Sequence, residues 1–259
     1  DRSYLGYQYS LKNGLEFKAV MDVGQSDDVH DYERIAYIKN AQVTWRHKGL
    51  TLSGGLISTT QFKTQESFWE KRYVMRSFQD EYKFGSSADM GISVAYKFTP
   101  WLSADVIVAN GEGYKKVQVN DGLQYGAGVT VTPLEGLTLR AYASYNEAAT
   151  DEGEGITNWN VFAGYAHRSF SIGAEYNAQT NAKNIKGQDQ SGCSVYSTIG
   201  LDKKGNISIF GRWDYLTSKE HWNNEADGMA GVLGAEFKIG KYIKLAPNVR
   251  IWSPKADNT

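Results

Sequence analysis

The chain has 259 residues and a net charge of −1, enough for one large domain or two ordinary ones and no reason to expect a nucleic-acid partner. Its single cysteine, Cys193, excludes an internal disulfide and cannot by itself build a zinc site. The 27 glycines, 17 tyrosines and 7 tryptophans instead suit a β-patterned chain whose wall meets two different solvents.

Taken in chain order, a period-two alternation of apolar and polar residues predicts strands over 3–11, 15–24, 36–47, 50–57, 89–98, 101–110, 123–132, 137–146, 157–167, 170–179, 192–201, 206–217, 228–239 and 243–253. The clearest case is "DMGISVAYKF", in which Met90, Ile92, Val94, Tyr96 and Phe98 share one face and Gly91, Ser93, Ala95 and Lys97 the other. Most of these strands run about ten residues, the length that crosses a bilayer when tilted. No apolar run approaches the ~20 residues of a membrane helix. The absence of a signal peptide leads to the expectation of a mature or trimmed chain.

The links between strands alternate in length. "KNG", "KG", "TP", "PLEG", "RS", "DKKG" and "GKY" are tight, whereas 25–35, 58–88, 111–122, 147–156, 180–191 and 218–227 are longer and polar. Outer-membrane barrels have short periplasmic turns and long extracellular loops, and a soluble sandwich has no cause to sort its loops by end. Aromatic residues fall at both ends of the apolar faces: Trp45, Phe98, Trp101 and Tyr242 near the short turns, Tyr37, Tyr145, Trp159 and Trp213 near the long loops. Lys39, on the same face as Tyr37, is expected to reach lipid headgroups.

The opposite face argues against a sandwich or small barrel, whose interior is apolar. Lys97, Asp105, Arg140, Arg212, Asp214 and Arg250 all fall on it and are candidates for the lumen wall. The expected fold is all-β: a transmembrane antiparallel barrel, a single domain over 1–259, with about 14 strands in this chain. Because the first link is short, the strand at 3–11 reads as the second of its barrel. One strand missing at each end gives an expected total of sixteen for the intact protein, wide enough for an aqueous channel.

The longest link, 58–88, is the third long one in that count. It is dense in aromatics and in charges of both signs, as a loop folded against the inner wall requires: rings to pack and charges to face water. Lys63, Glu70, Lys71, Arg72 and Arg76 are the candidate pore constriction, with Arg140, Arg212 and Asp214 expected on the wall facing it.

Little in the chain suggests chemistry, and no enzyme activity, metal or cofactor is expected. The four histidines lack ligand spacing. "SDDVHD" at 26–31 offers three acids and His30 as a weak calcium or lipopolysaccharide-bridging candidate beside the plain reading of a solvated loop. "GEGYKK" at 111–116 lacks the phosphate-loop spacing and reads as a loop tip. His221 near Glu220, Glu225 and Asp227 is the nearest approach to a hydrolase constellation.

"RSYLGYQYS", "FGSSADMGISVAYKF" and "ANGEGY" resemble the porin O and P family of phosphate-selective porins, most closely in its Bacteroides-type form. The resemblance covers most of the chain on short, degenerate motifs. It implies a homotrimeric sixteen-stranded pore of the bacterial outer membrane, embedded in lipid and lipopolysaccharide, passing small hydrophilic solutes and sometimes selective for phosphate. The arginine ladder of the phosphate-selective members is matched only in part, by Arg140, Arg212 and Arg250, and Asp105, Glu175 and Asp214 oppose it. Weak anion preference or none is expected. The alternative is a non-conducting barrel that serves as a receptor or scaffold for surface lipoproteins.

Overall fold

The computed structural model describes residues 2–25, 34–118, 121–148, 150 and 152–255. The 26–31 cluster, His30 included, lies outside them. The strands are β1 (Arg2–Ser10), β2 (Leu15–Gln25), β3 (Arg34–His47), β4 (Leu50–Ser58), β5 (Ala88–Thr99), β6 (Leu102–Ala109), β7 (Gln124–Leu134), β8 (Leu137–Asn146), β9 (Ile156–His167), β10 (Phe170–Thr180), β11 (Gln190–Gly200), β12 (Ile207–Ser218), β13 (Gly228–Ile239), β14 (Ile243–Leu245) and β15 (Asn248–Pro254). Two short helices, α1 (Lys63–Trp69) and α2 (Phe78–Glu81), interrupt the link between β4 and β5. All fifteen strands form one antiparallel sheet in which β1 to β14 pair in sequence order and β15 pairs with β13.

The last predicted strand is two pieces. β14 and β15 both pair with β13, separated at Ala246–Pro247, where proline has no N–H to give the ladder and its carbonyl instead accepts from Ala235 at 3.1 Å. Among the described residues β1 pairs only with β2, and β15 only with β13. No helix among them is long and apolar enough to cross a membrane.

The tight links are closed by local chemistry. Lys48 and Gly49 both have positive φ (44° and 86°), the backbone of a two-residue hairpin turn whose twist matches the strands it joins.

The two faces of the sheet differ as the sequence requires. Ile38, Ile92, Trp101 and Leu233 are among many large apolar side chains left exposed on the outer face, an arrangement stable only against lipid. Outer-face rings pack together at the predicted girdles: Trp159 lies 5.3 Å from Tyr176 of the neighbouring strand, and Trp45 stacks on His47 of its own strand at 5.6 Å.

One strand departs from the expected phase. Between β2 and β3 the register slips, so that Val20 opposes Asn40 while Met21 opposes Ile38. The extra residue, Lys39, is a β-bulge, and it reverses the faces of every residue before it. Ile38 points outward, and Tyr37 and Lys39 turn inward, correcting both sequence expectations. Lys39 Nζ sits over the rings of Tyr4 at 4.8 Å and Tyr114 at 5.6 Å rather than among headgroups.

Candidate functional site

The link between β4 and β5 folds against the inner face of the sheet. Three apolar anchors drive this. Trp69 packs edge-on against Tyr196 of β11 and Phe210 of β12 at 5.7 and 6.1 Å, and Phe68 meets Phe162 of β9 at 5.1 Å. Phe78, Tyr82 and Phe84 form a second cluster with Leu216. These residues alternate with polar ones at no strand-like period, because a segment lying on a wall needs one contact face per turn of irregular backbone, not one per two residues.

Polar groups then fasten the segment. Arg140 Nη2 donates to the main-chain oxygen of Thr60 at 2.9 Å, Arg212 to that of Arg76, and Arg250 to that of Val74. Each carbonyl would otherwise lie against the wall without a partner. Two of the three guanidinium groups are held in turn by carboxylates: Arg140 lies 2.6 Å from Asp105, and Arg212 Nη2 lies 2.6 Å from Asp214 Oδ2, whereas Arg250 Nε donates to Asn248 Oδ1 at 3.3 Å. A layer of amides completes the seam. Gln65 donates to Asn160 at 3.0 Å, and Gln190 to the carbonyl of Tyr82 at 3.3 Å. The segment also lines a cavity of about 700 Å³ shared with Tyr4 of β1 and Arg250 of β15. One loop that touches both ends of the sheet requires the sheet to curl around it.

These contacts relocate several predicted residues. Arg140, Arg212 and Asp214 lie behind the loop, on the wall it covers, rather than across from it. Arg140 and Arg212 are each 5% exposed, so they hold backbone and not solute. The reason is local: a buried carbonyl competes for a guanidinium more effectively than water does. Lys71, expected in the water of the constriction, is buried between Glu236 at 3.7 Å and the ring of Phe210 at 6.0 Å. Burial lowers its pKa from the ordinary lysine value, against the opposing pull of Glu236 and Glu70. Tyr73 and Lys244 reach the same Glu236 carboxylate.

Arg72 pairs with Asp80 at 2.6 Å and with Glu66. Desolvation works to lower its pKa, but these two carboxylates leave it raised. Lys63, Glu70 and Arg76 present exposed side chains on the open side of the loop. Lys97 is exposed near its short turn. Facing the loop from β2 and β3, Lys18 and Lys39 share a cavity of about 290 Å³ with Lys63, Glu66 and Arg72. Lys18 was legible as inward-facing; Lys39 was not, because the bulge that turns it leaves no mark in the alternation.

A second link also bends inward. Tyr114, in the segment read as a loop tip, donates to Asp22 of β2 at 2.5 Å and meets Tyr37 edge-on at 6.4 Å. Asp89 accepts from the backbone N–H of Gly111 at 2.7 Å and fixes the base of that segment.

The constellation around His221 does not assemble as a hydrolase site. Ser218 donates directly to Asp227 Oδ2 at 2.7 Å, and His221 Nδ1 stands 3.7 Å from the same oxygen. The serine proton therefore goes to the acid, and the imidazole is not placed to take it.

An outer face that needs lipid, an ionic inner face and a loop docked within define a transmembrane β-barrel of porin type. Solved structures agree on the fold. A mutant of the Rh. blastica porin matches over 96% of this chain and 83% of its own, with a TM-score of 0.59 at 14% identity. OmpT of Vibrio cholerae, an outer-membrane protein, matches over 96% and 77%, with a TM-score of 0.64 at 15% identity. A second mutant of the Rh. blastica porin matches over 98% and 85%, with a TM-score of 0.61 at 16% identity. No family model and no curated protein matches the sequence. The chain is an antiparallel barrel of the bacterial outer membrane.

Proposed function

We propose that this barrel is a passive diffusion channel for small hydrophilic solutes and ions, a single domain whose bore is set by the inserted segment 58–88. The observation that carries the reading is the docked loop: aromatic anchors and three arginine–carbonyl bonds hold it inside a wall lined with charges of both signs. A receptor or scaffold barrel has no need of a segment held at that depth. Lys63, Glu70 and Arg76 on the loop, facing Lys18 and Lys39, would set the narrowest part, with the buried Lys71 and the paired Arg72 supporting it.

Solute preference follows from the uneven shares of charge. Lys18, Lys39 and Lys63 around one cavity, against Glu66, favour a weak preference for anions, phosphate among them. The arginines that would form a phosphate ladder are engaged with the loop backbone, which argues against strong selectivity. Membership of the porin O and P family and assembly as a homotrimer rest on the sequence resemblance.

The test is single-channel recording on the full-length protein. Deleting 66–80 is expected to raise conductance severalfold. An unchanged conductance would mean that the loop does not limit the pore, and no conductance at all would favour the receptor reading.

A further inference from the structure

The two ends of this barrel carry opposite charge. At the short-turn end, Lys12, Lys48, Arg168, Lys203, Lys204 and Lys241 are all exposed, and the tight links there hold only Glu135 and Asp202 in opposition. At the long-loop end the balance reverses. The described residues of 110–123, 147–155, 181–189 and 219–227 hold nine Asp and Glu against five Lys, the link 58–88 being set apart because it docks inside the barrel. The acids at that end include the exposed Glu147, Glu152, Glu220 and Glu225. The sorting follows the topology: every tight link closes one rim of the sheet and every long link the other.

A water-filled tube with fixed negative charge at one mouth and fixed positive charge at the other concentrates cations in the first and anions in the second. We infer that the channel passes ionic current unequally in its two directions. This rests on the proposed channel reading and adds a direction to it. When the long-loop side is positive, cations move in from the mouth that is rich in them and anions move in from the opposite mouth. Both accumulate in the narrow middle, and conductance rises. Reversing the voltage draws both out of the middle and depletes it. The docked loop sharpens the effect by placing the highest resistance between the two mouths, where accumulation and depletion act.

Screening gives the effect a second signature. At ~0.1 M salt the Debye length is ~10 Å, comparable with a pore radius, and at ~1 M it is ~3 Å, so mouth charges no longer reach the axis.

The test uses the full-length protein in planar bilayers with the same salt on both sides. The instantaneous open-channel current is read at matched positive and negative voltages, before any voltage-induced closure. Orientation is fixed by an epitope tag after Gly187 in a long loop and an antibody added to one chamber. The expected ratio of currents, long-loop side positive over negative, is roughly 1.5 or more at ~0.1 M and falls toward 1 at ~1 M. The variant K203E/K204E/K241E, whose changes lie away from the docked loop, is expected to bring the low-salt ratio toward 1. An open channel with equal currents at low salt, or with the opposite sign, overturns the inference while leaving the channel intact. A protein that opens no channel removes the reading on which the inference stands.

Discussion

Arg212 and Asp214 sit two residues apart on one strand, 2.6 Å from each other, and the same guanidinium donates to the main-chain oxygen of Arg76 in the docked loop. The carboxylate neutralises the arginine, and the arginine secures the loop. Neither role works alone, because a buried guanidinium without its acid is costly.

Arg212→Met is therefore expected to loosen the loop more than Asp214→Asn does. Each change breaks a buried pair, at a typical cost of ~3–5 kcal/mol, but Arg212→Met also removes the bond to the Arg76 carbonyl and leaves both Asp214 and the buried Glu175 without their cation, whereas Asp214→Asn keeps a polar side chain beside the arginine. Open-channel noise and protease cleavage within 59–87 measure the difference. Equal behaviour in both variants would count against this account.

Trp69→Ala removes the indole that fills the space between Tyr196, Phe210 and Arg212. Truncating a buried aromatic costs ~3–5 kcal/mol, and here that loss falls on loop docking rather than on the barrel ladder. Expected are a higher and less steady conductance with an unchanged barrel by heat-resistant gel mobility.

Gly128 lies beneath the Arg140 guanidinium, where a side-chain carbon would collide with it. Gly128→Ala is expected to push Arg140 off both Asp105 and the carbonyl of Thr60, freeing the start of the loop. Reversal potential in a salt gradient would then shift toward anions, since a released arginine faces the lumen.

The bulge at Lys39 can be tested by labelling. In a Cys193→Ser background, Lys39→Cys is expected to react with a membrane-impermeant thiol reagent through the lumen, and Ile38→Cys to resist it. The reverse pattern would restore the headgroup placement.

Lys71 supplies a pH dependence. Burial lowers its pKa, so it loses its proton below the ordinary lysine range of about 10.4. Loss of that charge leaves Glu236 less compensated and makes the constriction more negative. Reversal potential should therefore move toward cation preference as pH rises through the approach to that range, and Lys71→Gln should abolish this part of the shift.

The strands, their faces and the alternation of short and long links were legible in the sequence. A period-two pattern and a tight turn are local properties, and each residue contributes to them through its own backbone. The anomalous segment 58–88 was legible as well, since aromatics without alternation cannot form a strand. Asn160 fell within a predicted strand and Gln190 within a predicted link, and nothing marked either as a partner of the loop. Their partners, Gln65 and Tyr82, lie about a hundred residues away in the chain.

What the sequence by itself determined is a sheet with one face for lipid and one for water. Only the tertiary structure decided which charges meet that water. The slip between β2 and β3 brought Lys39 into the lumen, and the docking of the loop withdrew Arg140, Arg212 and Lys71 from it. Both outcomes depend on contacts between distant segments, where the need of a buried carbonyl or carboxylate outweighs the hydration that an isolated side chain would keep.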